Sequence, residues 1–408
     1  MSLYQVVNRR KTYRARLLLL AIILPVAFAL AGCTIGQPPS PLTSGFTDDL
    51  DLESLRTAIR YSLSYLEKLP PDRIVGEQPQ PVTAADVMDT LAAFGKLLER
   101  SDCRECWLRG FTNRFDVIPS SGDAELQTVL FTGYYQPVIE GSLVPTAEYA
   151  YPIYGKPADL IVAEQITLVP SITSEKIIGR LQGEDFVPYY SRREIDELGS
   201  LRGRGYEIAW VKNPIDLFFL HIQGSGILQL EDGRRLLVGY AGTNGRPYRS
   251  IGRLLIDRGK IPQAEMSMQR LRSYLTDHPE EQNEILAYNE SYVFFRFLED
   301  GPLGNLEVPL TPGRSIATDA RLFPKGALAF ISTERPVLDA AGQLVGWQPF
   351  SRFVLNQDTG GAIRGPQRAD LYFGSGAEAA AAAGFMNRSG RLYFLSLKTQ
   401  PVTSSIKR

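Results

Sequence analysis

Histidine is almost missing from this chain: there are two in 408 residues. Cysteine is nearly as scarce, with three. A zinc site needs about four ligands, and no His or Cys set of that kind can be assembled here, so no metal is expected. With so little imidazole available, proton transfer falls to carboxylates. Charge of one sign is also missing. The formal net charge is −1, and no long basic stretch follows the first few residues, which excludes nucleic acid as a natural partner. Apolar residues make up 44% and charged residues 22%, ordinary values for a folded soluble protein.

Long apolar runs are absent except at the N-terminus. Arg9, Arg10, Lys11, Arg14 and Arg16 precede a run from Leu17 to Leu30. It is shorter than the roughly 20 residues a spanning helix needs. It closes on Leu30-Ala31-Gly32-Cys33. A basic region, an apolar run and small residues before a Cys make a signal peptide of lipoprotein type over residues 1–32. Cys33 would carry the lipid and bind the chain to a membrane surface. Residues 33–47 then read as a tether, rich in Pro, Ser, Gly and Thr. Thr34 rather than Asp follows the Cys, the pattern expected of a lipoprotein sent to the periplasmic face of the outer membrane. Cys103 and Cys106 are compatible with a local disulfide, two free thiols, a redox pair or half of a metal site; the first two are preferred.

Leu52, Leu55, Ile59, Leu63 and Leu66 recur at helical spacing up to Pro70-Pro71. Val87, Leu91, Phe94 and Leu98 repeat the pattern behind Thr83 as N-cap. From Val129 to about residue 243 short strand-like runs alternate with Gly and Pro, including Leu217–Ile222. Glu231-Asp232-Gly233 reads as a hairpin turn. This region, 129–245, is expected to be a small β domain inserted into a main domain of residues 48–128 and 246–408. Helices return at Tyr248–Ile256, around Met268, Leu271 and Leu275, and over Pro279–Tyr288. Strands follow from residue 307, with an alanine-rich helix at Glu378–Ala383. The fold class is therefore mainly β with flanking helices, and a groove is expected where the domains meet.

The chemistry concentrates in Asp358-Thr359-Gly360-Gly361-Ala362-Ile363 and Arg368-Ala369-Asp370-Leu371-Tyr372-Phe373-Gly374. Asp370 adjoins three apolar residues. Desolvation disfavours a charged carboxylate, which is how such a group stays protonated and acts as a general acid. Asp319 is a third carboxylate in this part of the chain, read as structural. His221 is read as a structural histidine.

This aspartate stretch resembles the 3D (three-aspartate) domain of the membrane-bound lytic murein transglycosylase A family, over about residues 307–398. Phe131-Thr132-Gly133-Tyr134-Tyr135-Gln136-Pro137, Phe218 to Gly226, Gly239 to Gly245 and Tyr248-Arg249-Ser250-Ile251-Gly252 resemble the same family. The resemblance implies a double-psi β-barrel with a second, smaller β-barrel inserted, and a glycan strand lying between them. It implies cleavage of the β-1,4 bond between N-acetylmuramic acid and N-acetylglucosamine, with 1,6-anhydro ends, by an exo-acting enzyme that needs no cofactor. Asp370 would be the catalytic acid/base and Asp358 its support. Thr132, Tyr134, Tyr135, Gln136, Gln223, Ser225, Tyr240 and Asn244 would bind substrate: aromatic faces stack on sugars, and amides and hydroxyls bond their polar groups. Partners would be peptidoglycan glycan strands, the membrane through Cys33, and cell-wall synthesis or division proteins. The alternatives are a glycoside hydrolase on a β-1,4-glucan and a non-catalytic peptidoglycan-binding lipoprotein.

Overall fold

A computed structural model describes residues 46–77, 80–99, 104–121, 128–164 and 176–398. Cys33, nearly all of the tether, and Cys103 lie outside them, as does the side chain of Cys106.

Two helices open the described chain, α1 (Leu52–Leu66) and α2 (Ala84–Leu98). Asp51 caps the first through Ser54 N–H, and Thr83 with Asp86 forms a capping box on the second. A third, α3, runs Arg104–Arg114. Their apolar stripes meet the aromatic cluster of Phe94, Phe111 and Phe353, where each fully buried ring contributes roughly 2–3 kcal/mol. Arg314, fully buried, donates to the Asp48 carboxylate at 2.6 Å, to Phe353 O and Asp51 O at 2.8 Å, and to Ser54 Oγ at 3.0 Å. This hub ties the N-terminal segment to the sheet beneath it.

The strands of the two large sheets are β1 (Phe115–Pro119), β2 (Val129–Gln136), β3 (Val138–Ser142), β4 (Tyr151–Tyr154), β5 (Glu207–Val211), β6 (Ser225–Leu230), β7 (Arg235–Thr243), β8 (Val293–Leu298), β9 (Ser315–Thr318), β10 (Leu328–Leu338), β11 (Leu344–Thr359), β12 (Arg368–Ser375) and β13 (Asn387–Leu397). A small separate sheet holds Ile161–Glu164, Lys176–Gln182 and Asp185–Pro188. Six strands close on themselves in the order β10-β11-β9-β12-β2-β13 and back to β10, with β1 added outside β13. Closure removes the free edges that an open sheet would expose. The second sheet runs β8-β7-β6-β3-β5-β4, and a bridge from Gly155 to Phe295 draws its two ends together.

The chain changes sheet at Pro137, between β2 and β3, and not at residue 129. It returns after β8, at Leu298, and not at residue 245. Strand β2 reads like its successors in composition, but its neighbours are β12 and β13 of the closed barrel. The helices α5 (Ile251–Asp257), α6 (Met268–Asp277) and α7 (Pro279–Tyr288) fall between strands of the second sheet. Leu217–Ile222 is helical rather than extended: α4 spans Pro214–Gln223. Asn213 caps Ile215 N–H, Pro214 stands in the first turn, and Gly224 ends it at φ 77°. Leu217 to Leu220 are buried between α5–α7 and the second sheet, and a short continuous apolar run does not distinguish a buried helix from a strand. A last helix, α8 (Gly376–Phe385), lies on the barrel. A Cβ at Gly133 would stand 2.7 Å from Ala383 Cα. Only glycine at 133 lets α8 approach β2 this closely.

Candidate active site

Ala317 on β9 pairs with Asp370 on β12 and with Asp358 on β11. Asp370 pairs in turn with Thr132 on β2, and Thr132 with Asn387 on β13. Paired residues share a sheet face, so Asn387, Thr132, Asp370, Ala317 and Asp358 form one row across five strands. The short methyl of Ala317 separates the two carboxylates. Asp358 joins the row because β11 slips register at Gln357. A bulge of this kind re-aims the residues after it. Gln357 is fully buried and held by Ser315 Oγ–H at 2.6 Å, while its amide donates to Ala58 O at 2.8 Å and Ser62 Oγ at 3.1 Å.

The Thr132 hydroxyl donates to Asp370 Oδ1. Arg368, two positions earlier on the same strand face, brings Nε to 3.5 Å from the same oxygen and an amino group to 3.4 Å from Thr132 Oγ1. The Asp370 side chain keeps 19% of its surface. Burial pushes its carboxyl above the usual range, while Arg368 and Thr132 pull it back down. Asp358 Oδ1 accepts N–H bonds from Thr359 at 2.8 Å and Asn305 at 2.9 Å. Gly304 makes the second possible, since a Cβ there would stand 2.6 Å from Gln357 O. Burial nevertheless outweighs these donors, and Asp358 is pushed up to about 6. Below it the Tyr134 ring packs on Tyr372 at 5.2 Å, and the buried Tyr134 hydroxyl lies against Asp358 without a hydrogen bond of normal geometry. Tyr248, just ahead of α5, lies close enough to Arg368 and Asp370 for their charges to act on its hydroxyl, and burial raises that hydroxyl above the ordinary range. The helix there starts at Ile251, not Tyr248, which frees Tyr248 to reach the barrel.

Asp319 is fully buried and takes three bonds from Arg321, between 2.7 and 3.1 Å, and one from Gly365 N–H at 2.9 Å. Held down to about 2, chiefly by Arg321, it pins the loop between the other two aspartates as a permanent anion.

The predicted sugar contacts separate into two groups. Thr132 and Tyr134 stand beside the carboxylates, and Tyr240 is 50% exposed on β7. Tyr135 instead faces the other side of β2 and packs on Ala379 and Ala383 of α8, as strand alternation requires. Gln223 accepts Tyr135 N–H at 3.0 Å, joining α4 to β2. Ser225 and Gln136 are buried at the same junction, where the Gln136 amide nitrogen has no partner. Asn244 is a correction: it is fully buried, donates to Tyr190 O and Glu290 O at 2.9 Å, and accepts from Tyr292 N–H at 2.9 Å and Arg246 N–H at 3.2 Å. Every hydrogen-bonding position it has is used inside the fold, which leaves nothing for a sugar. Sequence reasoning passed over Arg368 and Tyr248. The alternation Arg368-Ala369-Asp370 is a usable signal for the first; nothing local announces the second. Among the described residues no group of three His, Cys, Asp or Glu side chains could hold a metal.

Comparison with known proteins identifies the family. Residues 130–296 match the MltA specific insert domain, and residues 314–396 match the 3D domain. Membrane-bound lytic murein transglycosylase A of Escherichia coli K12 is 37% identical over 71% of this chain and 71% of its own. The chain belongs to the membrane-bound lytic murein transglycosylase A family. The family member of Vibrio cholerae is 34% identical over 67% of each chain. Among solved structures, the membrane-bound lytic murein transglycosylase of Agrobacterium tumefaciens superposes with a TM-score of 0.70 at 34% identity, covering 85% of this chain and 93% of that one. The E. coli family member with bound chitohexaose gives 0.61 at 30% identity, covering 88% and 93%. The insert-domain match spans the second sheet together with β2 of the barrel, and the 3D match spans the barrel strands β9 to β13.

Proposed function

We propose that this protein is a peptidoglycan lytic transglycosylase that cuts the β-1,4 bond from N-acetylmuramic acid to N-acetylglucosamine and leaves a 1,6-anhydromuramic acid end. The observation that carries the reading is the Asp370 carboxyl: desolvated, tied to Thr132, and in one row with Asp358 across the barrel. Oδ1 is taken by the Thr132 hydroxyl, so the transferable proton resides on Oδ2. Asp370 gives it to the glycosidic oxygen as the C1–O bond breaks. The oxocarbenium-like charge is relieved by the substrate's own acetamido group or C6 hydroxyl. Asp370 then takes the proton of that hydroxyl as its oxygen bonds C1. Because the attacking oxygen belongs to the same ring, orientation is worth up to about 7–11 kcal/mol, and no second protein carboxylate is required. Asp358 supports the first by its negative charge and by fixing the loop at Asn305. Thr132, Tyr134 and Tyr240 are the side chains proposed to meet the glycan; that the fold takes a sugar chain is supported by the chitohexaose bound to the E. coli relative.

The scaffold is read as a double-psi β-barrel, on the strength of two parallel pairs, β2·β12 and β9·β11, within an otherwise antiparallel ring. The second sheet, with its ends bridged, is read as the smaller inserted barrel. Cleavage from strand ends and a lipid on Cys33, holding the enzyme at the periplasmic face of the outer membrane, complete the proposal. The described residues contain no helix long and apolar enough to cross a membrane, and the known relatives are named as membrane-bound.

The test is digestion of isolated sacculi with the purified chain in detergent, followed by fragment mass. Anhydro ends, lighter by one water than reducing ends, are expected. Reducing ends alone would identify a hydrolase, and cleavage by Asp370→Asn equal to wild type would remove Asp370 from the mechanism.

A further inference from the structure

Arg368 has a feature that packing alone does not explain. Its Nε is buried yet makes no hydrogen bond of normal geometry, while sitting 3.5 Å from Asp370 Oδ1. Its amino group reaches Thr132 Oγ1 at 3.4 Å, and that hydroxyl donates to the same Oδ1. The three side chains form a closed triangle on one oxygen, leaving Oδ2 clear of hydrogen bonds among the described residues. We infer that Arg368 is a positioning residue that holds Thr132 and Asp370 as one unit and sets the upper pH limit of cleavage. This rests on Asp370 being the acid.

The groups facing Asp370 can be named element by element. Its own strand contributes Arg368. Strand β9 contributes only the uncharged Ala317. Beyond it β11 brings Asp358, β2 brings Thr132 and Tyr134, and the segment ahead of α5 brings Tyr248. The two tyrosines are held above their ordinary range, so they stay neutral where the enzyme works. That leaves one cation and one titrating anion acting on the acid in opposite directions. An opposite charge within ~4–6 Å favours the ionised carboxylate. Arg368 thus makes Asp370 a stronger acid that is protonated over a lower span of pH.

The experiment measures kcat/KM of the full chain in detergent on isolated sacculi across the pH range. A required acid appears as a fall in rate on the alkaline side. In Arg368→Gln that limb should move up by about one pH unit, with the plateau rate lowered less than tenfold. Arg368→Lys, which keeps the charge on a point rather than a fork, should place the limb between the two. A limb at the same pH in wild type and Arg368→Gln, with only a uniform loss of rate, would overturn the inference. Should Arg368→Gln not fold, Arg368→Lys decides alone, and an unmoved limb counts against it. Asp370→Asn in parallel separates the two claims. Wild-type cleavage by it refutes the acid assignment, whereas a dead Asp370→Asn with an unmoved Arg368→Gln limb refutes only the role of Arg368.

Discussion

Two buried polar clusters divide the molecule. One is the carboxylate row on the closed barrel. The other, near the second sheet, centres on Arg192, whose side chain is 3% exposed. Arg192 donates to Asn289 O at 3.0 Å and Ser291 O at 2.7 Å, and it lies 3.5 Å from Asp196. Its guanidinium also meets His221 Nδ1 at 3.0 Å. Arginine has no acceptor, so Nδ1 accepts and the imidazole is the neutral Nε2–H tautomer. Burial and then Arg192 hold His221 well below its ordinary range. His221 is thus structural, although its Nε2 has no partner. In the Arg192 cluster backbone carbonyls absorb the charge, and the result is rigidity. In the barrel row, among the described residues, Asp358 is desolvated with no cation beside it, Asp370 has Arg368 on one oxygen, and the other oxygen of Asp370 has no hydrogen bond. Both clusters keep buried polar atoms without hydrogen-bond partners, His221 Nε2 in one and Arg368 Nε in the other; what separates them is a titratable carboxyl that retains access to a ligand, the setting in which perturbed groups do chemistry.

The contrast can be broken by mutation. Asp370→Asn should lower anhydro-end formation by about 10²–10⁴-fold with the melting temperature nearly unchanged, the range expected for a lost acid/base; parallel losses of fold and activity would erase the distinction. Arg192→Met should do the reverse. Removing one member of a buried ionic cluster costs about 3–5 kcal/mol, read as a lower denaturant midpoint, while the folded fraction keeps its turnover.

Asp358→Asn sharpens the comparison. The folded carboxyl titrates at about 6, above its ordinary 3.8. A raised carboxylate penalises the fold above pH 6, and the penalty fades as pH falls toward 4. The variant should therefore be more stable than wild type at pH 7.5 by about 1–2 kcal/mol, with the gain gone near pH 4, and should cleave more slowly. Equal thermal midpoints at both pH values would show that Asp358 is not strained. The smallest effect belongs to His221→Gln. A depressed histidine pKa means the unfolded chain takes the proton first, so wild type loses stability as pH falls below 6.5. The variant should show a shallower acid-side slope, measured by melting between pH 7 and 5.

Local chemistry was legible without coordinates. Thr83 before an apolar stripe with Asp86 three residues on, Pro279 at a helix start, and the Glu231-Asp232-Gly233 turn all depend on neighbours a few residues away, and each is where the pattern puts it. So are the two aspartates as a pair, since a carboxylate among apolar residues and glycines is unusual by itself. Tertiary structure decided the rest. Which sheet β2 joins depends on a parallel partner 238 positions away, as the Thr132–Asp370 bond shows. Whether Asn244 binds a ligand or its own backbone, and whether Arg368 and Thr132 meet on Asp370, depend on closure of the barrel and on the path of the insert. Side-chain type sets what a residue can donate, accept or ionise; only the folded chain sets which of those capacities are already spent.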